Sequence, residues 1–390
     1  LSVSQDASNQ SPIELLDRLV SFDTTSHKTN VPLIGFVADY LTGLGVEVRL
    51  IPNEAGDKIN LCATIGPKDA VGGIGLSGHT DVVPVVGQDW QTDPFRMTAR
   101  DGRLYGRGTT DMKGYLACVL ASVPMFQARQ LSRPIHIFFS YDEEIGCVGV
   151  RPMIDQLGKE LPMPDVVFVG EPTGMRVVDA HKGPARWEVD VIGRAAHSSM
   201  AHLGVNAIHT AGDLIGELRR IEDDLRQNCR DDRFDPPYAT LQVTKIEGGT
   251  ANNIVPRFCR MGFEVRALPG LDITAISQRL TDYADANCLP PMRAVAEEAT
   301  IAIELVNWVP PFAATTGSPA VALALRLAGD NHTEAVSYTT EAGLFQAAGA
   351  ASVVCGPGYI AQAHTADEWI AEEELLRCMA FLERLADWAE

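Results

Sequence analysis

Three short apolar runs in this chain each give way to a His, Asp or Glu. Gly75-Leu76-Ser77 runs into Gly78-His79-Thr80-Asp81-Val82-Val83-Pro84. Ile135-His136-Ile137-Phe138-Phe139-Ser140 runs into Asp142-Glu143-Glu144, and Asp165-Val166-Val167-Phe168-Val169 into Gly170-Glu171-Pro172-Thr173. Continuous apolar runs read as strands of the buried type, without a wet face. Such strands need cover, and helical patterns alternate with them. The expected fold class is therefore α/β, built in layers. Open sheets of this kind collect functional groups at the carboxyl ends of their strands, where these polar residues fall.

The helical patterns have recognisable ends. Ser11-Pro12 opens a helix whose apolar positions recur at Ile13, Leu15, Leu16 and Leu19. Asn30-Val31-Pro32 opens a second helix, which Gly45 closes after Leu44. Strands are expected over Val46–Leu50 and Asn60–Ile65, and a helix over Gly114–Ala128. Then the pattern changes. Arg186 to Ile192 alternates polar and apolar, as in a sheet with one wet face. A helix over Asn206–Gln227, strands over Tyr238–Ile246 and Arg257–Arg266, a helix over Asp272–Asn287 and a strand over Ala299–Val306 follow. That order is βαββαβ, one ferredoxin-like unit. Residues 179–311 therefore read as an inserted domain, between catalytic-domain segments 1–178 and 312–390. The α/β pattern resumes with a helix over Ser318–Gly329, a strand over Ser352–Cys355, His364 in a loop, and a helix over Glu372–Trp388.

A length of 390 residues accommodates this two-domain reading. A net charge of −19 argues against nucleic acid or an anionic membrane as partner. None of the eight Cys forms a CxxC pair, so they read as reduced, mostly buried thiols. No apolar run approaches the about 20 residues of a membrane span. Leu1-Ser2-Val3-Ser4-Gln5 has neither the basic start nor the apolar core of a secretory leader. These features lead to the expectation of a cytoplasmic protein.

His79, the Glu143-Glu144 pair, Glu171 and His364 thus follow strand ends, and Asp111 lies in the Gly-rich turn Tyr105-Gly106-Arg107-Gly108-Thr109-Thr110-Asp111-Met112-Lys113-Gly114. Two imidazoles and several carboxylates suit Zn²⁺, Co²⁺ or Mn²⁺ better than Ca²⁺ or a thiolate site. There are more ligands than one tetrahedral ion needs, which points to a two-metal site. Asp81 is placed to accept the other N–H of His79 and fix its tautomer. One of Glu143 and Glu144 should bind metal, leaving the other as general base on water. Asp111 fits a helix N-cap as well as a ligand. His136 and His332 read as structural.

At these residues the sequence resembles the two-zinc aminoacylase, acetylornithine deacetylase and carboxypeptidase family. The resemblance covers nearly the whole chain. It implies a mixed-sheet α/β catalytic domain with an inserted lid and dimerisation domain. It implies two divalent ions, Zn or Co, with His79 and Glu171 on one, Glu144 and His364 on the other, and Asp111 bridging. Glu143 becomes the base, Asp81 the residue orienting His79, and the Asp111-Met112 peptide cis. Gly193-Arg194-Ala195-Ala196-His197-Ser198-Ser199 resembles the lid motif whose His reaches the substrate carbonyl from a partner subunit, implying a homodimer. Asn252-Asn253-Ile254-Val255-Pro256 and Arg266 resemble lid residues that meet the substrate carboxylate. Arg266 would also fit a strand-edge surface position, and His197 an ordinary loop.

Within the family, His181-Lys182-Gly183, Gly204-Val205-Asn206-Ala207-Ile208 and Thr339-Thr340-Glu341-Ala342 look most like the branch that deacetylates N2-acetyl-L-ornithine. Thr340 and Glu341 are then expected near the substrate. Glu341 would answer the free ammonium of ornithine or form a structural salt bridge. The alternatives are another N-acyl-amino-acid deacylase, a desuccinylase or a dipeptidase.

Overall fold

The computed structural model describes residues 10–67 and 70–390. The reading of Leu1 to Gln5 lies outside the described residues. The chain divides into two units. The first comprises Leu1–Asp179, Ala313–Glu334 and Thr340–Glu390, and the second Ala180–Phe312 and Ala335–Thr339. The second unit thus begins and ends one residue later than the 179–311 pattern, and it takes in a short extra segment.

The first unit opens with α1 (Pro12–Val20), α2 (Val31–Gly43), β1 (Val48–Pro52), β2 (Ile59–Ile65) and β3 (Ile74–His79). Next come β4 (Thr98–Arg100), β5 (Arg103–Tyr105), α3 (Gly114–Ala128), β6 (Ile135–Ser140), the short α4 (Arg151–Ile154) and β7 (Val166–Val169). The chain crosses the boundary in β8 (Val178–His181). The second unit holds β9 (Gly183–Ile192), α5 (Ala207–Asn228), β10 (Thr240–Gly248), β11 (Phe258–Ala267), α6 (Ile273–Tyr283), α7 (Leu289–Val295) and β12 (Thr300–Trp308). After β13 (Phe312–Ala313) come α8 (Pro319–Ala328), β14 (Glu334–Val336), α9 (Ala342–Ala347), β15 (Ala351–Val354), β16 (Trp369–Ala371) and α10 (Glu372–Ala389).

The main sheet of the first unit contains the order β1-β2-β6-β3-β7-β15. β6, β3, β7 and β15 run parallel, while β1 and β2 are antiparallel to their neighbours, so the sheet is mixed. Every residue of β3, β6 and β7 is buried, as continuous apolar runs require. Their parallel direction brings the ends carrying His79, Ser140 and Val169 to one edge.

α3 lies under that edge. Its Leu116, Val119, Leu120, Val123 and Phe126 are fully buried, each contributing roughly 1.5–3 kcal/mol. The approach to the strands is close. A Cβ on Gly78 would lie 2.7 Å from Leu116 Cδ2, and one on Gly170 would lie 2.2 Å from the Tyr115 ring. Glycine before His79 and before Glu171 therefore lets the helix pack directly beneath the site. α1 starts with a capping box: Ser11 Oγ accepts from Glu14 N at 3.2 Å, and Glu14 Oε2 accepts from Ser11 N at 2.8 Å. Near its other end the buried Lys113 ammonium donates to the carbonyls of Leu19 and Phe22, at 3.1 and 2.8 Å.

A small sheet, β16-β5-β4, has no counterpart in the sequence pattern. Trp369, Ile370 and Ala371 pair with Tyr105, Leu104 and Arg103. The segment after His364 is thereby zipped to the segment before Asp111.

The second unit is an antiparallel sheet in the order β10-β11-β9-β12. Ala185, Trp187, Val189 and Val191 of β9 and Phe263 and Val265 of β11 face its core. Leu214, Leu218 and Ile221 of α5 are also buried. The helix expected to end at Asn287 continues through a π-helical turn over Ala284–Cys288 into α7.

Candidate metal centre

Parallel strands place most of the suspected ligands at one edge. His79 is the last residue of β3, Glu143 and Glu144 follow β6, and Glu171 follows β7. The ligand atoms of His79, Glu143 and Glu171 all lie within 4.8 Å of one another, as do those of His79, Asp111 and Glu144. Asp111 sits between the histidines. Its Oδ1 is 3.0 Å from His79 Nε2, and its Oδ2 is 3.1 Å from His364 Nε2. Glu171 Oε1 is 3.7 Å from His79 Nε2, and Glu144 Oε2 is 3.1 Å from His364 Nε2. Asp111 is not a helix cap: the residue before α3 is Lys113, and no side chain caps that helix. The Asp111-Met112 peptide is cis.

Asp81 holds the site differently from expectation. His79 Nδ1 bonds the Asp81 main-chain carbonyl at 2.9 Å, while the carboxylate Oδ1 stands 3.6 Å away. The carboxylate instead accepts from Ser26 Oγ at 2.8 Å and from the main-chain N–H groups of Glu143 and Glu144, at 3.1 and 3.3 Å. One residue thus fixes the His79 ring and the backbone of the paired glutamates. The pair then separates. Glu144 meets His364, and Glu143 Oε1 accepts from Cys147 Sγ at 3.3 Å.

The electrostatics follow from burial. Burial pushes Glu143 well above the usual carboxylate range; burial and then the Asp111 charge do the same to Glu171. Glu144 is pushed up to about 7 by burial and by Asp111. Burial opposes the charge on Asp111 too, yet hydrogen bonds from His364 and His79 hold its carboxyl well below the usual range. His364 is raised to about 11 by its bonds to Asp111 and Glu144. Burial opposes the charge on His79, but its bond to Asp111 and the nearby Asp81 carboxylate outweigh it. Ionised together, these four carboxylates would carry more negative charge than the two imidazoles can balance. Buried charge of one sign needs a counter-charge, and this N and O donor set fits divalent cations.

Thr340 and Glu341 were expected near the substrate. Thr340 is fully buried, and its hydroxyl accepts from Ala342 N at 3.0 Å, at the start of α9. Glu341 is 1% exposed, with Oε1 accepting from Ser140 Oγ at 2.6 Å and Oε2 from Ser77 Oγ at 3.2 Å. Both are buried, and Glu341 bonds Ser77 of β3 and Ser140 at the end of β6. Burial pushes Glu341 up to about 7. Among the described residues no ion pair engages it, and two serine hydroxyls do.

His197, Asn253 and Arg266 belong to the second unit. His197 pairs with Ile254 in an isolated bridge, and Ser198 N donates to Asn253 O at 2.9 Å, so His197 and Asn253 are neighbours. Arg266 Nε donates to Glu264 at 2.6 Å. His136 is structural, bonded to Thr64 and Gly72, and His332 pairs with Asp330.

Sequence reasoning missed Arg107 and Glu368. Both are fully buried and paired at 2.7 Å, and Glu368 Oε1 accepts from Thr110 N at 2.9 Å and Asp111 N at 3.1 Å. Their signal was position alone: Arg107 within the Gly-rich turn, and Glu368 just after His364.

An α/β mixed sheet with clustered His, Asp and Glu at its strand ends is the arrangement of a metallohydrolase. Residues 75–388 match peptidase family M20/M25/M40, and the chain belongs to that family. It is 34% identical over 354 residues to acetylornithine deacetylase of Pasteurella multocida, covering 90% of each chain. Among solved structures it resembles a metallo-carboxypeptidase of the M20 family from Sulfolobus solfataricus, with a TM-score of 0.76, 19% identity, and 98% and 99% of the two chains covered. It also resembles YXEP, a dinuclear metal-binding peptidase of that family from Bacillus subtilis, with a TM-score of 0.68, 17% identity and 96% of each chain covered.

Proposed function

We propose that this chain is a two-metal amidohydrolase that removes the acyl group from an N-acyl-L-amino acid. The observation that carries the reading is Asp111, whose two oxygens each face a different histidine, at 3.0 and 3.1 Å. His79 and Glu171 would hold one divalent ion and Glu144 and His364 the other, with Asp111 shared. Zn²⁺ or Co²⁺ suits this set. When bound, the ions supply Lewis-acid chemistry, making water more acidic and the amide carbonyl more electrophilic.

The protein's own groups do the rest. Asp81 aims His79 through its carbonyl and anchors the Glu143 and Glu144 backbone through its carboxylate. Glu143 takes a proton from the attacking water and passes it to the departing nitrogen as the amide C–N bond breaks. His197 serves as a donor. The main-chain N–H of Ser199 donates to its Nδ1 at 3.2 Å, which leaves the proton of the neutral ring on Nε2. That N–H would stabilise the developing oxyanion. By family resemblance the second unit is a lid and dimerisation domain, and His197 acts on the site of a second copy. Arg266 would fork onto the substrate carboxylate, with Asn253 beside His197.

N2-acetyl-L-ornithine is the first substrate, giving acetate and L-ornithine as in arginine biosynthesis, because the acetylornithine deacetylase of P. multocida is similar over 90% of the chain. The cysteines described are all free, which fits a cytoplasmic enzyme. No helix among the described residues is long and apolar enough to cross a membrane. A second reading keeps the reaction and changes the substrate to a succinyl-amino acid or a dipeptide. It is favoured by Glu341, whose oxygens are both engaged by serine hydroxyls.

The test is turnover of the Zn²⁺- or Co²⁺-loaded protein on N2-acetyl-L-ornithine, N-acetyl-L-methionine, N-succinyl-L,L-diaminopimelate and a dipeptide. Acetylornithine is expected to give the highest kcat/KM. If another member of the panel exceeds it, the second reading replaces the first. Hydrolysis of none of them would overturn the amidohydrolase assignment.

A further inference from the structure

We propose that Lys58 is a positioning residue for the paired glutamates, setting through Asp142 and Ser26 where Glu143 and Glu144 stand. This role rests on the amidohydrolase reading above, which gives the two glutamates their tasks.

Asp142 opens the run Asp142-Glu143-Glu144, yet base and ligand are both found among its successors. Its own carboxylate turns elsewhere. Asp142 Oδ1 accepts from the Lys58 ammonium, and the Ser26 carbonyl accepts from the same ammonium. All three residues are buried and belong to the first unit. Lys58 stands directly before β2, and its backbone is fixed there. Its carbonyl accepts from Asn53 N at 2.8 Å, and its N–H donates to Asn53 Oδ1 at 3.2 Å. The lysine therefore reaches its partners from an anchored base.

Those partners hold the two sides of the glutamate segment. Ser26 Oγ donates to the Asp81 carboxylate at 2.8 Å, and that carboxylate receives the Glu143 and Glu144 N–H groups. Ser26 N donates to Val82 O and Val82 N to Thr24 O, both at 3.1 Å, so residues 24–26 run beside the stretch carrying Asp81. On the other side Asp142 joins β6 to Glu143 with φ at 55°. A non-glycine residue keeps left-handed backbone only where its surroundings hold it. Here the Lys58 ammonium holds the side chain, and Val148 N donates to the carbonyl at 3.1 Å. A closed ring results, from Lys58 to Ser26, to Asp81, to the Glu143 and Glu144 backbone, and back through Asp142 to Lys58. A neutral side chain at 58 would leave Asp142 unpaired in a buried position. Lys113 gives the contrast. It is also buried, but it donates to the carbonyls of Leu19 and Phe22 and among the described residues pairs with no carboxylate.

Lys58→Met removes the ammonium from a side chain of similar length, and Lys58→Arg keeps a cation able to bridge a carbonyl and a carboxylate. The metal-loaded proteins are assayed on whichever substrate of the panel above gives the highest kcat/KM, and Co²⁺ binding is followed by titration and visible absorption. Lys58→Met is expected to lose kcat by about 10–100-fold with KM little changed, and to bind Co²⁺ about 10–100-fold more weakly. Its Co²⁺ absorption should shift, and Lys58→Arg should recover part of each loss. A lysine that merely stabilises the fold would change urea unfolding and leave kcat, Co²⁺ affinity and absorption at wild-type values, and that result overturns the positioning role. If Lys58→Met does not fold, Asp142→Asn, of unchanged shape, is held to the same expectations in the same measurements. Failure of both to fold would make the pair a folding element and also overturn the role. If the wild type turns over no substrate of the panel, the amidohydrolase reading fails separately, and the Co²⁺ titration and absorption still decide whether Lys58 places Glu144. A wild type that binds no Co²⁺ either takes this role down with that reading.

Discussion

Arg107 Nη1 lies 2.7 Å from Glu368 Oε2, and this fully buried pair joins the two segments that carry Asp111 and His364. Glu368 receives the N–H groups of Thr110 and Asp111, while Arg107 donates to the Thr365 carbonyl at 3.2 Å and to the Gln88 side chain. Gln88 in turn donates to the His364 carbonyl at 2.8 Å. Removing one member of such a pair leaves a buried charge uncompensated. Glu368→Ala should therefore lose about 3–5 kcal/mol in urea unfolding, with Glu368→Gln losing less. Metal titration should show affinity weakened about 10–100-fold. Unchanged unfolding in the Ala variant would mean the pair does not hold these segments.

Glu143 and Glu144 are adjacent in sequence but differ in partners, and substitution should separate them. Glu143→Ala removes the proposed base and leaves His364, Glu144 and Asp111 together. It should retain two equivalents of metal and lose kcat by about 10³-fold or more. Glu144→Ala takes a carboxylate from beside His364 and should lower the metal stoichiometry. Elemental analysis with steady-state kinetics measures both. The reverse pattern, metal lost with Glu143 and retained without Glu144, would exchange their roles.

Glu341 gives the metal-free protein a defined pH dependence. Its carboxyl is pushed by burial from 4.5 to about 7 in the folded state. Between those values the folded protein holds a proton that the unfolded chain has released. Stability from this group is therefore complete below about pH 4.5 and is lost as pH rises through about 7, by about 3 kcal/mol. Glu341→Gln cannot titrate. The difference in unfolding free energy between wild type and this variant should therefore shift against the wild type by that amount between about pH 4 and 8. A difference that stays flat across this range would mean the carboxyl is not buried as described.

The strand ends were legible because β3, β6 and β7 are buried throughout and their polar successors break an apolar run. Likewise, the alternation from Arg186 to Ile192 revealed a sheet with one wet face. What stayed hidden has a common physical origin. β4, β5 and β16 are three residues each, too short for any periodicity, yet the pairing of Trp369 with Tyr105 is what draws His364 toward Asp111. Arg107, Glu368 and Glu341 are fully or almost fully buried, whereas pattern reading assigns charged residues to the surface unless a motif claims them. Asp81 was identified, but its action through a main-chain carbonyl could not be read, because every residue type carries that group.

His197 offers the sharpest test of whether two copies build one site. It lies in an exposed stretch with Met200 and Leu203, opposite Ile254, and all three apolar side chains are more than 40% exposed. If its Nε2–H reaches the substrate on a second copy, each site takes Glu143 from one protomer and His197 from the other. His197→Ala and Glu143→Ala would each be inactive alone. Unfolded and refolded together, they would form mixed dimers in which one site has both mutations and the other has neither. Random pairing gives about half mixed dimers with one competent site each, so about a quarter of wild-type activity should return. Sedimentation should find a dimer in every sample. If the refolded mixture stays as inactive as its parents while still dimeric, His197 acts within its own chain or not at all.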